Sequence, residues 1–291
     1  MTLGMVGVIG GSGLGDILAR RLEETESFDI TTPFGKPSSP IMVGRLGHRQ
    51  VAFLNRHGQG HAFDPIAVPY AANIFAMKQL GVRALLATGA VGSLRESITP
   101  EQLVMVDQFI DKTVKRRNSF FKDFGAVHCE MAEPVCSRLH NSVCETAREL
   151  NITTHEKGTY VCMEGPQFST RAESLMHRQW GGDLIGMTAL PEAKLAREAQ
   201  LCYCLIALVS DYDCWRPHHP HEGKQALLEE IIGHLQKATD HCIELIEAVL
   251  ASKRVLVNEE CHCRSSLSLA VWTAPDVLDP VKKQTLAPLF E

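Results

Sequence analysis

The chain opens with an apolar strand pattern that runs directly into a glycine-rich turn, GVIGGSGLGD at residues 7–16. Such a turn lets a ligand approach the backbone closely and leaves N–H groups free to bind an anion. A dinucleotide fingerprint is excluded, because the third glycine comes one position early and no strand ending in an acidic residue follows at the required distance. A P-loop is excluded because no Gly-Lys-Ser/Thr follows. Two interpretations stay open: an anion site that uses Ser12, or a plain strand-to-helix turn that needs positive φ.

Strands and helices alternate after this turn, which predicts an α/β fold: a single domain with a central mixed β-sheet flanked by helices. Short runs rich in Val, Ile and Leu predict strands at 5–9, 41–46, 50–54, 84–87, 103–106, 158–162, 183–186 and 204–209. Helical spacing predicts helices at 66–80, 134–150, 171–179, 191–200 and 221–250.

The C-terminal region is less regular, and no linker composition precedes about residue 254. We therefore expect residues 1–254 to form the main body and residues 255–291 to be an appendage of the same domain. One further helix is expected over 276–290, begun by the pair Pro275–Asp276.

The overall charge and hydropathy limit the possible partners. A formal net charge of −5 gives no electrostatic reason to expect nucleic-acid binding, and the densest basic stretch, Lys112 to Arg117, is typical of a surface loop. The longest apolar run is too short to span a membrane, and no signal peptide pattern is visible. A cytoplasmic protein is expected, in which the ten cysteines are mostly reduced.

Several predicted strand ends carry residues that suit phosphate. Arg56 and His57 follow the strand at 50–54, and Arg offers a planar fork that matches phosphate oxygens. The stretch TGAVGS at 88–93 is expected to be a small-residue loop with exposed amides, and Thr188 adds a hydroxyl. Ligands of open α/β sheets bind at this edge, so we expect a phosphate site there. A metal pair of His57 and His61 is less favoured, because no acidic or cysteine ligand lies nearby in sequence.

Six motifs in a fixed order carry a resemblance to a known family. Beside the glycine turn, the NRHGQGH and the TGAVGS stretches, these are EGPQFSTRAES at 164–174, GMTALPEAKLAREA at 186–199 and SDYDCW at 210–215. The chain resembles the trimeric purine nucleoside phosphorylase superfamily, most closely its branch acting on 5′-methylthioadenosine. The resemblance implies phosphorolysis of 5′-methylthioadenosine to adenine and 5-methylthioribose 1-phosphate, as in purine and methionine salvage. The resemblance implies no cofactor and no metal; inorganic phosphate takes part in the reaction as a co-substrate.

The resemblance also implies roles for individual residues. Phosphate would be bound by Ser12, Arg56, His57, Gly89, Ala90 and Thr188. The nucleoside would be bound by Phe168, Ser169, Met187, Asp211 and Asp213, with Leu227 and Leu228 at the methylthio group. His128 matches a histidine that the family lends to the neighbouring active site, which implies a homotrimer.

The pair Asp211 and Asp213 suits the chemistry of purine release. Adenine leaves more easily when N7 accepts a proton, and two partly buried carboxyl groups can hold one proton between them. We predict Asp211 as the acid and Asp213 as the contact to the 6-amino group. A carboxylate repels a 6-oxo group, and relatives that prefer 6-oxopurines carry Asn in place of Asp211 and Glu in place of Ser169, so adenine is the expected base.

Three departures from the family pattern leave alternatives open. Ser12 stands where close relatives have threonine, Gly89 where many have threonine, and Lys224 where a hydrophobic residue often lines the 5′ pocket. A phosphorylase of broader specificity, acting on adenosine, inosine or methylthioinosine, is therefore the first alternative. A nucleoside-binding protein without turnover is the second.

Two short motifs are not explained by the resemblance. Cys261-His262-Cys263 could bind a metal, form a strained redox pair or be a plain surface C-x-C. The histidines at 218, 219 and 221 with Glu222 invite a metal interpretation, but a gating loop near the substrate is favoured. Cys202 and Cys204 are expected to be small core residues.

Overall fold

Short β-branched runs form the strands of one sheet, and amphipathic segments form the helices that cover it. The computed structural model describes residues 4–11, 14, 17, 20–122, 124–216 and 223–291. The described strands are β1 (Met5–Gly10), β2 (Glu23–Phe28), β3 (Ile41–Leu46), β4 (Arg49–Asn55), β5 (Val82–Ser93), β6 (Leu103–Val106), β7 (Gln108–Asp111), β8 (Thr154–His155), β9 (Thr159–Cys162), β10 (Leu184–Gly186) and β11 (Cys202–Tyr212). The described helices are α1 (Tyr70–Gln79), α2 (Ser137–Glu149), α3 (Arg171–Gln179), α4 (Glu192–Glu198), α5 (Lys224–Ala251) and α6 (Pro280–Thr285).

The sheet is mixed, and its centre is parallel. The order β2-β3-β4-β1-β5-β10-β9-β7 forms one path, and β11 pairs with β5 and β6 beside it. Strands β4, β1, β5 and β11 run parallel to one another, so their C-terminal ends meet at one edge. Parallel sheets require cover on both faces. Two apolar clusters provide it, one with α1 and α4 and the other with α2 and α5. The predicted α/β class and mixed sheet are confirmed.

Two central strands are longer than predicted. Strand β5 continues to Ser93 and pairs with β11 along nearly its whole length, so the prediction of a loop at 88–93 is wrong. The glycines of this stretch serve close packing: a Cβ on Gly92 would lie 3.1 Å from Ile185 Cγ2 and 3.3 Å from Asp213 Cβ. The register of β11 shifts between Val209 and Asp211, as in a β-bulge.

Three strands were not predicted. Strand β2 is an exposed edge strand of sequence EETESF, whose glutamates look like a solvated charge run in the sequence. Charged side chains on an edge protect it from pairing with other chains. Strand β7 has the sequence QFID, with polar residues at both ends, and β8 has only the two residues TH, so neither is visible as an apolar run.

The C-terminal segment packs on the body of the domain. Buried Arg49 donates to the carbonyl oxygens of Leu250, Ser252 and Arg254, and Gln200 Nε2 donates to Leu289 O at 2.8 Å. The predicted helix start at Pro275–Asp276 is wrong, because α6 begins after Asp279, whose carboxylate accepts from two backbone N–H groups of the first turn. The division at residue 254 stays a prediction.

Within the described part of the chain, no helix is long and apolar enough to cross a membrane.

Candidate active site

A cavity of about 460 Å³ opens at the sheet edge where the parallel strands end. Its walls come from the residues that follow β1, β4, β9 and β10, from the C-terminal half of β5, from the end of β11 and from α5. The lining residues include Gly11, Arg56, His57, Gly89, Ala90, Phe168, Ser169, Met187, Thr188, Asp211, Asp213, Ile231 and Leu235. The fold thus brings together most of the residues that the sequence predicted.

Arg56 directly follows β4 and is buried with an ion-pair partner. Its Nε and Nη2 donate to the two carboxylate oxygens of Glu192 at 2.7 and 2.9 Å, and Nη1 donates to Thr88 O at 2.6 Å. Each side chain of the pair is 1% exposed. Burial opposes the charge of Arg56, but the attraction of Glu192 outweighs it and raises the pKa of Arg56. The fork predicted for phosphate is therefore occupied by Glu192, and these bonds leave one N–H on each terminal nitrogen for a ligand.

Gly11 allows the first turn to lie close to Arg56. A Cβ at this position would be 3.2 Å from Thr88 O and 3.4 Å from Arg56 Nη1. The Gly11 N–H donates to Thr88 Oγ1 at 3.2 Å. This close approach explains one glycine of the turn. Ser12 lies outside the described residues, as do the histidines at 218, 219 and 221 with Glu222.

His57 is a neutral side chain, not a second cation. Burial, helped by the charges of Arg56 and His61 and opposed by the hydrogen bond to Phe63, lowers the pKa of His57 to about 4. Its Nδ1 lies 2.8 Å from Phe63 O, an acceptor, so Nδ1 carries the proton. Neutral imidazole then has an unprotonated Nε2, which accepts a hydrogen bond. His57 therefore suits the hydroxyl of a phosphate monoanion or dianion. The ring of His61 stacks on it at 4.1 Å between centroids.

Small residues of β5 and the end of β10 complete the same region of the cavity. Gly89 approaches Thr188, and a Cβ added to Gly89 would lie 3.4 Å from Thr188 Oγ1. The Thr188 N–H contacts the Tyr160 hydroxyl at 3.3 Å. Tyr160 also requires Gly186, where a Cβ would come within 2.0 Å of the hydroxyl oxygen.

The two predicted aspartates lie at the end of β11. The Ser210 hydroxyl donates to Asp211 Oδ1 at 2.6 Å, and it also lies 3.2 Å from Val91 O. Asp213 follows the strand and its N–H donates to Ser93 O at 3.0 Å. Asp213 is 8% exposed, and its Oδ2 has no hydrogen-bond partner among the described residues. A buried carboxylate oxygen of this kind is costly unless a ligand or water pairs with it.

Arg116 supports the Met187 wall from behind. It donates to Met187 O at 2.5 Å and to Leu190 O at 2.7 Å, while its Nε donates to Glu164 Oε1 at 2.9 Å. Its side chain is 1% exposed. The prediction of a basic surface loop is therefore wrong for Arg116, since a basic stretch alone does not reveal which cation is buried.

The predicted nucleoside residues differ in their surroundings. Phe168 is 85% exposed at the cavity mouth. Ser169 Oγ lies 3.6 Å from Met163 Sδ, and the Cys214 thiol donates to Ser169 O at 3.2 Å.

Three predicted residues are not among those that line the cavity. On α5, Ile231 and Leu235 line it, one to two turns beyond Leu227 and Leu228, and Leu228 is 57% exposed. Helical spacing identifies the apolar stripe, but not which turn reaches the cavity. His128 is exposed, its N–H donates to Ala270 O at 2.9 Å, and its ring packs edge-on against Trp272 at 5.0 Å.

Comparisons with known proteins agree on one family. The model of the phosphorylase superfamily matches residues 5–251. The S-methyl-5′-thioadenosine phosphorylase of Cereibacter sphaeroides is 46% identical over 279 residues, covering 95% of this chain and 93% of the relative. That of Gloeobacter violaceus is 44% identical, covering 98% and 94%.

Solved structures show the same similarity in three dimensions. A methylthioadenosine phosphorylase from an antarctic soil metagenomic library superposes with a TM-score of 0.88 at 41% identity over the full length of both chains. A variant of the adenosine/methylthioadenosine phosphorylase of Schistosoma mansoni, solved with methylthioadenosine, gives 0.82 at 33% identity, covering 94% of this chain and 100% of that one. The chain therefore belongs to the phosphorylase superfamily and, within it, to the S-methyl-5′-thioadenosine phosphorylase family.

Proposed function

We propose that this chain cleaves the N-glycosidic bond of 5′-methylthioadenosine with inorganic phosphate, giving adenine and 5-methylthioribose 1-phosphate. It is a pentosyltransferase of nucleoside salvage. The observation that carries the proposal is a single cavity that holds an anion cradle around Arg56 and Thr188 together with two aspartates, Asp211 and Asp213. A binding protein needs the cavity but has no need of a carboxyl group beside an anion cradle.

Phosphate is bound by hydrogen bonds more than by net charge. Arg56 offers its two remaining N–H groups, the Thr188 hydroxyl offers a third donor, and Gly89 and Ala90 bring backbone close to the anion. His57 Nε2 accepts from the phosphate hydroxyl. We place Ser12 in this cradle on the family pattern. The cradle positions the nucleophile beneath C1′ of the sugar, which is the entropic part of catalysis.

The purine end supplies the proton. As the bond breaks, positive charge develops on the sugar and negative charge on the base, and no covalent enzyme intermediate is needed. Asp211 gives a proton to N7, and the Ser210 hydroxyl orients its carboxyl group. Asp213 accepts from the 6-amino group, which would satisfy its unpaired buried Oδ2. Met187 packs against the ribose, and Phe168 covers the base at the mouth.

The 5′ end is apolar. Ile231 and Leu235 line the cavity, which suits a methylthio group better than a hydroxyl. A second candidate, a broader adenosine and methylthioadenosine phosphorylase, is favoured by the similarity to the adenosine/methylthioadenosine phosphorylase of Schistosoma mansoni. The Lys224 side chain, on which this choice also bears, lies outside the described side chains.

We propose a homotrimer in which His128 completes the site of a neighbouring subunit. His128 is exposed beside Trp272, which is 74% exposed, and neither residue is among those lining the cavity of its own chain. We also propose a cytoplasmic location, where nucleoside salvage takes place.

The first experiment measures release of the free base from methylthioadenosine, adenosine and inosine, with and without phosphate. We expect phosphate-dependent adenine release, fastest from methylthioadenosine. Equal rates with adenosine would favour the broader enzyme, inosine as the best substrate would overturn the assignment of Asp211, and no turnover would favour a binding protein.

The second experiment isolates the proton donor. Asp211→Asn should lower kcat for methylthioadenosine by roughly 10²–10⁴, the usual contribution of a general acid. In a 4-nitrophenyl 5-methylthioriboside the leaving group is 4-nitrophenolate, a stable anion that needs no proton, so the same variant should lose much less activity with this substrate. Asp107→Asn, outside the cavity, keeps the oxygen that accepts from the Gly158 N–H and is the matched control. Equal losses on both substrates would assign Asp211 a structural role.

A further inference from the structure

Four cysteines that are far apart in sequence meet at one point of the fold. The sulfur atoms of Cys136, Cys202, Cys261 and Cys263 all lie within 4.8 Å of one another. Cys136 directly precedes α2, Cys202 begins β11, and the other two lie in the segment that follows α5. All four side chains are buried, three of them at 1% exposure.

The spacing of the sulfur atoms fits a tetrahedral metal ion. Zinc in a tetrathiolate site has Zn–S bonds of about 2.3 Å, which puts the sulfurs about 3.8 Å apart at the corners of a tetrahedron. The Cys136 and Cys261 sulfurs are 3.7 Å apart. Two disulfides would need the sulfurs in two bonded pairs, whereas here all four are mutual neighbours. The C-x-C spacing of Cys261 and Cys263 is shorter than the usual zinc motif, so the sequence alone does not identify the site.

The charges around the cluster fit a dianionic centre. Arg138 Nη2 donates to Cys202 Sγ at 3.4 Å, and Arg197 Nη1 donates to Cys263 Sγ at 3.7 Å. Four thiolates and one divalent ion carry a charge of −2, which two guanidinium groups balance. Each of these arginines also has a buried Nε without a hydrogen-bond partner among the described residues. Arg197 is 4% exposed, and its other terminal nitrogen, Nη2, donates to Glu133 O.

We propose that Cys136, Cys202, Cys261 and Cys263 bind one zinc ion in a structural tetrathiolate site. This differs from the expectation that the protein has no metal and that Cys202 is a plain core residue. Binding deprotonates the thiols and releases their protons to solvent. The ion ties the C-terminal segment to α2 and β11. Cys202 begins β11 and Asp211 lies near its other end, so the ion has no part in the phosphorolysis.

The test begins with the unmodified protein. After purification with reductant and exhaustive dialysis, elemental analysis should give one zinc per chain. An organomercurial that captures thiols should release this zinc, and a chromogenic chelator measures the release. Refolding in Co²⁺ instead of Zn²⁺ should give the intense sulfur-to-cobalt charge-transfer bands of a tetrathiolate. Less than about 0.1 zinc per chain after refolding with zinc would overturn the proposal.

Variants locate the ligands. Cys202→Ser and Cys263→Ser should lose the zinc, whereas Cys204→Ser, a buried cysteine of the same strand outside the cluster, should keep it. Retention of one zinc by Cys202→Ser would overturn the ligand assignment. If a cluster variant does not fold, the cobalt spectrum and zinc content of the unmodified protein still decide.

The competing chemistry is a pair of disulfides. Protein purified without reductant, stripped with chelator and alkylated under denaturing conditions should carry ten alkyl groups, one for each cysteine in the chain. A chain that carries only six and is lighter by the hydrogens of two disulfides would overturn the metal site. Turnover of methylthioadenosine is a separate measurement, so failure of the metal proposal leaves the proposed function intact.

Discussion

Removing the charge of Glu192 from its buried ion pair with Arg56 should have opposite effects on stability and on phosphate binding: stability should fall, and phosphate should bind more tightly. Both side chains are 1% exposed, and Glu192 accepts two hydrogen bonds from Arg56 and one from the Tyr203 hydroxyl at 3.0 Å. Glu192→Gln keeps the shape of the side chain but leaves the charge of Arg56 without compensation. Removing one partner of a buried pair costs about 3–5 kcal/mol. This is a large part of a typical stability of about 5–15 kcal/mol.

Phosphate should reverse part of this loss. Arg56 lines the cavity, so in Glu192→Gln the bound anion becomes its only nearby counter-charge in the described structure. We expect Kd for phosphate to fall and the stabilisation by phosphate to exceed that of the unmodified protein. For scale, a ligand at 100 times its Kd stabilises the folded state by about 2.7 kcal/mol.

The assay is urea unfolding followed by tryptophan fluorescence at one fixed protein concentration, with and without phosphate. Replacing both charges, in Arg56→Met with Glu192→Leu, should recover most of the stability and abolish the response to phosphate. The reasoning is refuted if Glu192→Gln unfolds within about 1 kcal/mol of the unmodified protein, a difference typical of weak surface pairs. An unchanged phosphate increment would refute the second half.

Three further predictions address other parts of the molecule. Burial raises the pKa of Glu198 to about 7, so the folded state binds the proton of this carboxyl group more tightly than the unfolded state does. The stability that this proton contributes is fully present below pH 4.5 and is lost as the pH rises through 7. Glu198→Gln should remove this loss and unfold at a higher urea concentration than the unmodified protein at pH 8, and a lower urea midpoint would contradict this. Leu235→Ala should lower kcat/KM for methylthioadenosine about 10–200-fold, whereas Leu228→Ala, on the same helix but exposed, should change kcat/KM little. Equal losses of kcat/KM in the two variants would contradict the assignment of the 5′ pocket to Leu235. Co-expressing His128→Ala with Asp211→Asn should restore activity that neither variant has alone, because a site can then receive its aspartate from one chain and its histidine from a neighbouring chain. With random mixing, about a quarter of the sites should be complete in this way. No recovery of activity in verified mixed oligomers would show that His128 acts in its own subunit.

Local patterns predicted much of this fold, because a strand or helix of ordinary length is recorded in its own periodicity. The apolar runs of β1, β4 and β11 and the stripe of α5 were identified in this way. Pairing between distant segments leaves no such trace. Arg56 was identified after its strand, but its partner Glu192 lies 136 residues further along the chain. The cysteine cluster was missed for the same reason.

Composition misled the prediction where close packing selects small residues. Gly and Ser are typical of turns. In β5 the same residues allow β10 and β11 to approach, since side chains at Gly89 or Gly92 would meet Thr188, Ile185 or Asp213. A loop and a crowded strand therefore have the same sequence signature, and only the tertiary contacts distinguish them.

The phosphate end of the cavity contains several ionisable residues, but their charges largely compensate one another. Glu192 neutralises Arg56, Glu164 pairs with Arg116, and burial keeps His57 uncharged. In the proposed phosphate site, an anion would be bound by aligned donors and by one neutral acceptor, which would recognise its shape and protonation state more than its charge. Such a cradle can hold phosphate for attack and still release the sugar phosphate, because binding is not dominated by an uncompensated buried cation. The sequence motif identifies Arg56, and we expect the distant Glu192, through its ion pair with Arg56, to set how strongly this site binds an anion.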